Sequence, residues 1–152
     1  MKKIFFFLAA VFFLTFQVAA QADRILGFWL TEEEDAQIEI IKKSNGKYYG
    51  SVVWLDEPFE DNGTPKIDDE NPDPKLQNRP ILGLQILKDF IYDRKDEEWE
   101  DGTIYDPDSG NTYDCFMWFE DDPNILYIKG YLLGMRFIGR RSEWVKEYRK
   151  RE

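Results

Sequence analysis

Alternation of apolar and polar residues along most of the chain predicts β-strands rather than helices. Residues 36–43 alternate in this way, with Ile38 and Ile40 on one face, and residues 47–55 form a second strand-like segment. The dipeptide Asn45-Gly46 lies between them. Asn-Gly favours a type I′ turn, because both central residues of that turn need positive φ. We therefore predict a β-hairpin here.

The same pattern predicts six further strands, at residues 25–31, 81–90, 102–106, 111–120, 125–132 and 135–145. Periodicity alone leaves a helix open for residues 81–90. Residues 92–101 are polar and highly charged, with Trp99 as their one large apolar side chain. Residues 56–80 hold five of the seven prolines and are predicted to form a long irregular loop, since proline fixes φ and removes a donor. Eight antiparallel strands in sequence order predict an all-β up-and-down barrel, which leaves no exposed sheet edge.

The first 22 residues have the pattern of a secretory signal peptide. Lys2 and Lys3 precede an apolar stretch at residues 4–16, and Ala20-Gln21-Ala22 matches a small-x-small cleavage site. Cleavage after Ala22 would leave a single β-barrel domain at residues 23–152; cleavage after Ala20 and an uncleaved anchor are the alternatives. We expect an exported bacterial protein, periplasmic or secreted, that does not span the membrane once it is matured.

Composition narrows the function classes further. The 152 residues suggest one domain, and the net charge of −10 argues against binding to nucleic acid, which requires Lys and Arg to neutralise phosphates. The chain has no His, which excludes His-based triads and His metal sites. Its one Cys, Cys115, cannot form a disulfide within the chain and is expected to be a small buried apolar residue.

Two elements resemble lipocalins. Gly27-Phe28-Trp29 on the first strand is similar to their Gly-x-Trp element, and Gly139-Arg140-Arg141 lies on the last strand. In lipocalin-like barrels an arginine from the last strand packs across the first-strand Trp and closes the base. The resemblance therefore implies that Gly27, Trp29 and Arg140 close this barrel, with Arg141 as the alternative arginine.

A larger ordered set of motifs resembles a bacterial secreted family, domain-of-unknown-function family 2147. The matching pieces are Gly27-Phe28-Trp29, Gly50-Ser51-Val52-Val53-Trp54-Leu55, Asp68 with Asn71-Pro72-Asp73-Pro74, Arg79-Pro80-Ile81-Leu82-Gly83-Leu84, Trp99 with Gly102, Ile104-Tyr105-Asp106-Pro107, Gly110-Asn111-Thr112-Tyr113, Gly130-Tyr131-Leu132, and Gly139-Arg140 with Trp144. This resemblance spans nearly all of the mature chain. It implies a lipocalin-like barrel and export, and it implies no particular activity.

Large aromatic residues are the first candidates for ligand contacts. An eight-stranded barrel can hold one small ligand, and such cavities are lined by apolar and aromatic side chains with a few polar groups. The aromatic candidates are Trp54, Trp99, Tyr105, Tyr113 and Trp118. The alternative is that each of them packs the core or the outer surface of the hairpins.

The proline-rich loop supplies the polar candidates. Asp68, Asn71, Asp73 and Arg79 could cap the barrel and contact the head of a ligand. The alternative is that Asn71 and Asp73 hydrogen-bond local turns and that Arg79 pairs with a nearby carboxylate.

These observations favour the binding of a small apolar or amphipathic, lipid-like ligand in a barrel cavity. The alternative is a cell-envelope interaction or structural module with a filled barrel; a third class is a carboxylate-dependent hydrolase. We assign no catalytic residue and no cofactor. We also assign no metal site, because the calcium-like spacing of Asp106, Asp108 and Gly110 is more typical of a hairpin turn.

Overall fold

The computed structural model describes residues 20–152, which form a closed antiparallel β-barrel. Each strand pairs with the next in sequence, and the last pairs with the first. The strands are β1 (Gly27–Leu30), β2 (Ala36–Lys42), β3 (Tyr48–Leu55), β4 (Gln85–Asp93), β5 (Glu98–Asp106), β6 (Asn111–Phe119), β7 (Ile125–Tyr131) and β8 (Gly139–Glu147). The predicted eight-stranded up-and-down barrel is confirmed, and the first 19 residues of the predicted leader lie outside the described residues.

Three strands begin four residues away from the predicted position. β4 begins at Gln85 rather than at residue 81, because the chain turns at Gly83 and Leu84, whose backbone groups bond to Val52. β5 begins at Glu98 rather than at residue 102, and its first residues lie before a register shift between Trp99 and Gly102 that breaks the alternation.

The third difference is at β8, which begins at Gly139 rather than at residue 135. Residues 132–138 form the β7–β8 loop, and the side chains of Leu132, Leu133, Phe137 and Ile138 are exposed rather than inward-facing. Leu133 is 86% exposed and Phe137 is 79% exposed. The apolar residues of this loop therefore resembled a buried strand in the sequence, although they are not buried in the structure.

One end of the barrel is closed by packed aromatic rings. Trp29 and Trp99 are both fully buried, and each contacts Phe119, at ring-centroid distances of 5.7 and 5.6 Å. The Trp29 indole N–H donates to the backbone oxygen of Ile25 at 2.8 Å. The predicted role of Trp29 as the plug of the barrel therefore agrees with its position.

A short helical turn at residues 20–23 completes this closed end. The Trp99 indole N–H donates to the Ala22 oxygen at 3.1 Å, and the Tyr48 hydroxyl donates to the Asp23 carboxylate at 2.7 Å. The segment before β1 is thus part of the barrel base. Among residues 20–152, no helix is long and apolar enough to cross a bilayer.

The cation that packs on Trp29 is Lys146, not Arg140. The Lys146 ammonium lies 4.3 Å from the Trp29 ring centroid and donates to the Leu26 oxygen at 2.5 Å. Arg140 is at the opposite end of β8, exposed and paired with Glu33 at 2.5 Å. The prediction for Arg140 was wrong because β8 continues two residues beyond the predicted strand end, which brings Lys146 to the base.

Candidate functional site

The end of the barrel opposite Trp29 opens into a cavity of about 700 Å³. Its walls come from the mouth-side halves of six strands. The apolar wall residues are Ala36, Ile38, Val52, Leu55, Ile86, Ile104, Ile128 and Trp144, with Ile81 from the long loop. Aliphatic side chains of adjacent strands thus form a continuous apolar lining, while the aromatic base closes the far end.

Charged side chains surround the mouth of the cavity. The carboxylates are Glu33, Asp35, Asp56, Glu57, Asp106 and Asp108, and the cations are Lys66 and Arg140. Both cations already have a partner, because Lys66 lies 3.5 Å from Glu57 and Arg140 lies 2.5 Å from Glu33. With six carboxylates and two cations, the rim of the cavity therefore has a net negative charge.

Two of these rim carboxylates also order local turns. The Thr31 hydroxyl donates to Asp35 at 2.6 Å, and the Ser109 hydroxyl donates to Asp106 at 2.6 Å. The Asp108 N–H also donates to the Asp106 carboxylate, at 3.2 Å. The Asp106–Gly110 segment is a hairpin turn, and no group of three or more potential metal ligands forms within residues 20–152.

The polar candidates of the long loop come together around one buried carboxylate, Asp68. Asp68 is fully buried and accepts from the Tyr105 hydroxyl at 2.5 Å, the Asn71 amide at 2.8 Å and the Arg79 Nε at 2.8 Å. The Asn71 amide also donates to the Tyr105 oxygen at 3.0 Å. Asp73 lies outside this cluster, where it accepts from the Lys75 N–H.

This cluster is a structural tie rather than a set of free ligand contacts. Both Asp68 oxygens have donors, so the buried charge is compensated within the protein. Burial, together with the hydrogen bond to Asp68, raises the pKa of the Tyr105 hydroxyl, which keeps it protonated as a donor. Of the four residues, Tyr105 alone lines the cavity, so the cluster holds the long loop against the end of β5.

Trp54 lies on the outside of the barrel, contrary to the prediction of a cavity contact. Its indole N–H donates to the Glu152 oxygen at 3.1 Å, and the Arg151 guanidinium lies 4.8 Å from its ring. A bulge explains the difference: Gln37 pairs with Trp54, whereas Ile38 pairs with Val52. The extra residue, Val53, reverses the phase, so Trp54 and Val52 face opposite sides.

Trp118 and Trp99 are also away from the cavity wall, whereas Tyr113 lies beside the lining residues Gly130 and Ile104. Trp118 faces outward and stacks between Phe116 at 5.1 Å and Tyr127 at 5.5 Å. Trp99 belongs to the closed base, and Tyr113 is not among the residues that line the cavity. The positions of Trp99 and Trp118 do not fit the predicted ligand contacts, because aromatic content does not distinguish wall, base and exterior; the contact of Tyr113 stays a prediction.

The lining residues that sequence reasoning missed are aliphatic side chains and Trp144. Ile86, Ile104 and Ile128 are ordinary inward-facing strand residues, so nothing in their type marks them as cavity residues. Trp144 is in phase with Arg140 along β8, and alternation would have assigned it to the interior had the strand been placed correctly.

Comparison with known proteins agrees with this architecture. The chain is similar to a solved structure described as protein HP1028 from the human pathogen Helicobacter pylori, which belongs to the lipocalin family. The match covers 81% of this chain and 82% of that protein, with 24% sequence identity and a TM-score of 0.67. At this identity the likeness shows the fold alone. No curated protein matched the chain. The family described as uncharacterized proteins conserved in bacteria matches residues 27–146. The chain therefore belongs to this bacterial family, domain-of-unknown-function family 2147, and has a lipocalin-like fold.

Proposed function

We propose that the protein binds a small apolar or amphipathic ligand in the open half of its barrel. The observation that carries the proposal is the cavity of about 700 Å³ with aliphatic walls and one open end. Small-molecule sites have volumes of about 300–1,000 Å³ and are mainly apolar, with a few polar groups. A lipid-derived molecule has the size and chemistry that such a cavity accepts.

Burial of a hydrocarbon chain supplies the driving force. Each buried CH₂ contributes about 0.8 kcal/mol, so a ten-carbon chain gains roughly 8 kcal/mol before the costs of association are subtracted. The packed base formed by Trp29, Trp99 and Phe119 limits how deep the chain can enter. We therefore expect one ligand molecule per barrel, with its polar end at the mouth.

Filling the cavity tests the proposal. Gly130 lines the cavity, and a Cβ added there would meet Ile104 and Tyr113 at an ordinary contact distance of 3.5 Å. Gly130→Leu should place its remaining atoms in the cavity and weaken binding of the neutral fluorescent probe N-phenyl-1-naphthylamine at least tenfold. The matched control, Lys129→Leu, adds the same side chain at the neighbouring position in β7, which is not among the lining residues.

A second filling variant, Ser142→Phe, protects the test against a folding failure of the first, and circular dichroism verifies that each variant is folded. Equal probe binding by the wild type and by folded Gly130→Leu and Ser142→Phe would overturn the proposal. Failure of the wild-type protein to bind the probe would also overturn the proposal.

The alternative function is an interaction module that acts through its exterior. The observation that favours it is the stacked set of Phe116, Trp118 and Tyr127 on the outer face, together with the exposed Leu133 and Phe137. In that case Trp118→Ser or Phe137→Ser would abolish binding of the interaction partner in the cell envelope, and Gly130→Leu would leave that binding unchanged.

We further propose that the protein is exported and that its leader is cleaved after Ala20. The leader pattern supports export, and the buried Ala22, whose oxygen accepts from Trp99, supports the earlier of the two cleavage positions. Cleavage after Ala22 would remove that acceptor and leave a buried donor unpaired. Intact mass of protein recovered from the bacterial envelope should match residues 21–152. A mass that begins at Asp23 would contradict the cleavage position, and an uncleaved cytoplasmic chain would contradict export.

A further inference from the structure

We infer that the preferred ligand of this cavity is an amphiphile with a cationic head, such as a protonated amine attached to a hydrocarbon chain. The inference rests on the proposed cavity function and assigns the charge of the ligand. The charge follows from the balance of charged groups around the mouth and from their position above an apolar wall, and one unpaired donor in that wall indicates separately that the cavity takes a ligand.

The charge balance at the mouth favours a cation. Two rim carboxylates are neutralised, Glu33 by Arg140 and Glu57 by Lys66. The remaining four, Asp35, Asp56, Asp106 and Asp108, have no cationic side chain within 4 Å in the part of the chain that the structure describes. A cleft lined by charges of one sign above low-dielectric walls focuses the field and raises the local concentration of the opposite charge.

Trp144 supplies an independent indication that the cavity takes a ligand. Its side chain is 4% exposed and lines the cavity. Its indole N–H has no hydrogen-bond acceptor among residues 20–152, whereas the buried Trp29 and Trp99 each donate to a backbone oxygen. Among residues 20–152 the only fully buried side-chain nitrogen or oxygen without a partner is Arg24 Nε, so the Trp144 N–H is reached from the cavity and is available to an acceptor atom in the buried part of a ligand.

The position of the carboxylates relative to the wall determines where the head and the hydrocarbon chain of the ligand lie. Asp35 is followed in the chain by Ala36 and then by Ile38, both of which line the cavity, and Asp106 follows Ile104 and Tyr105 in the same way. A hydrocarbon chain seated against these walls places its head at the level of the rim carboxylates. An anionic head would meet the same groups unfavourably, because both rim cations already have partners.

Three probes of equal chain length test the inference. Decylamine, decan-1-ol and decanoate each have ten carbons, and at pH 7.5 their heads are positive, neutral and negative, since the amine is protonated and the carboxylate is ionised. Displacement of N-phenyl-1-naphthylamine should show that decylamine binds at least tenfold more tightly than decanoate, with decan-1-ol between them. The advantage of decylamine should decrease when salt is raised from 50 to 500 mM, because exposed charges are screened.

Removing rim charge gives the second measurement. Asp56→Asn with Asp108→Asn should weaken decylamine binding about fivefold and change decan-1-ol binding less than twofold. The control pair, Asp96→Asn with Asp121→Asn, changes the net charge equally at exposed positions in the β4–β5 and β6–β7 turns, away from the cavity lining. This pair should leave both affinities unchanged.

The outcomes separate this inference from the proposed function. Equal binding of all three probes, or tighter binding of decanoate, would overturn the cationic preference and leave the apolar cavity function standing. The same decrease in decylamine affinity for the rim pair and for the control pair would also overturn it. Failure of every probe to bind would overturn both proposals.

Discussion

Asp68 lies at a position with no solvent contact, and three side chains donate hydrogen bonds to its carboxylate. Arg79 supplies the counter-charge, while Tyr105 and Asn71 supply the remaining hydrogen bonds. Removing one partner of a buried pair costs more than the pair itself contributes, because it leaves the other group unpaired. Asp68 therefore ties the long loop to the end of β5 through Tyr105.

The substitution Asp68→Asn should destabilise the protein by about 2 kcal/mol, since Arg79 loses its charged partner but is partly exposed and regains some hydration. Urea denaturation followed by Trp fluorescence measures this difference. The adjacent Asp69 is exposed, and Asp69→Asn should change the free energy of unfolding by less than about 0.5 kcal/mol. Equal effects of the two variants would contradict the structural role of Asp68.

Cys115 is fully buried, and burial raises the pKa of its thiol. Because the thiolate is the reactive form, a disulfide reagent such as 5,5′-dithiobis(2-nitrobenzoate) should not label native protein at pH 8. Labelling should begin at the urea concentration at which Trp fluorescence reports unfolding. Rapid labelling without denaturant would show that Cys115 is accessible.

At the level of elements, the long β3–β4 loop is held by close backbone packing as well as by Asp68. Gly110, in the β5–β6 turn, has a φ of +68°, and a Cβ there would lie 2.0 Å from the Glu70 oxygen. This approach requires glycine for two reasons, backbone conformation and space. The two mouth loops are therefore packed directly on one another.

A matched pair of glycines separates these two reasons. Gly63 has a φ of +81°, but a Cβ added there would meet no atom within 4 Å, so Gly63→Ala should cost only about 1 kcal/mol. Gly110→Ala adds the steric conflict and should cost at least about 2 kcal/mol. Thermal or urea unfolding measures both. Equal costs would mean that the contact with Glu70 contributes nothing.

The C-terminal tail depends on pH through Glu147. The hydrogen bond from Arg151 is the main cause that lowers the pKa of Glu147 below its usual 4.5, with a further contribution from Gln37. A lowered pKa in the folded state means that stability is fully present above pH 4.5 and is lost as the pH falls through the folded pKa. Glu147 thus stabilises the folded tail at neutral pH.

Glu147→Gln should therefore destabilise the protein by about 1 kcal/mol at pH 7, and the difference from the wild type should shrink at pH 3. Urea denaturation at pH 7, 4.5 and 3 measures the trend. Glu143→Gln, on the same strand and more exposed, serves as the control. A difference that grows as the pH falls would contradict the assignment.

Sequence reasoning predicted the elements well because strand alternation and turn chemistry are local. The hairpin at Asn45-Gly46 is confirmed, although Gly46 alone of the two residues has positive φ, so its turn is not the predicted type I′. The cavity was predicted poorly because it depends on which face of each strand is inside. One bulge beside Gln37 reversed the phase at Trp54, and the pairing partner that creates it is distant in sequence.

At the scale of the whole molecule, the barrel is filled unevenly along its axis. Aromatic side chains from β1, β5 and β6 pack the base together with the segment before β1, whereas aliphatic side chains line an open space at the mouth. The base is therefore packed with side chains, and the proposed function uses the space left in the other half.

This uneven filling has a consequence for how such a protein can change over evolutionary time. A side chain that faces open space has few neighbours on one side, so replacing it neither leaves a void in a packed core nor forces other groups apart. Substitutions at Leu55 or Ile104, two lining residues that are only half-buried, can alter the shape of the mouth while Trp29 and Trp99 keep the base packed. The barrel thus has room to acquire new ligand preferences without first acquiring a new fold.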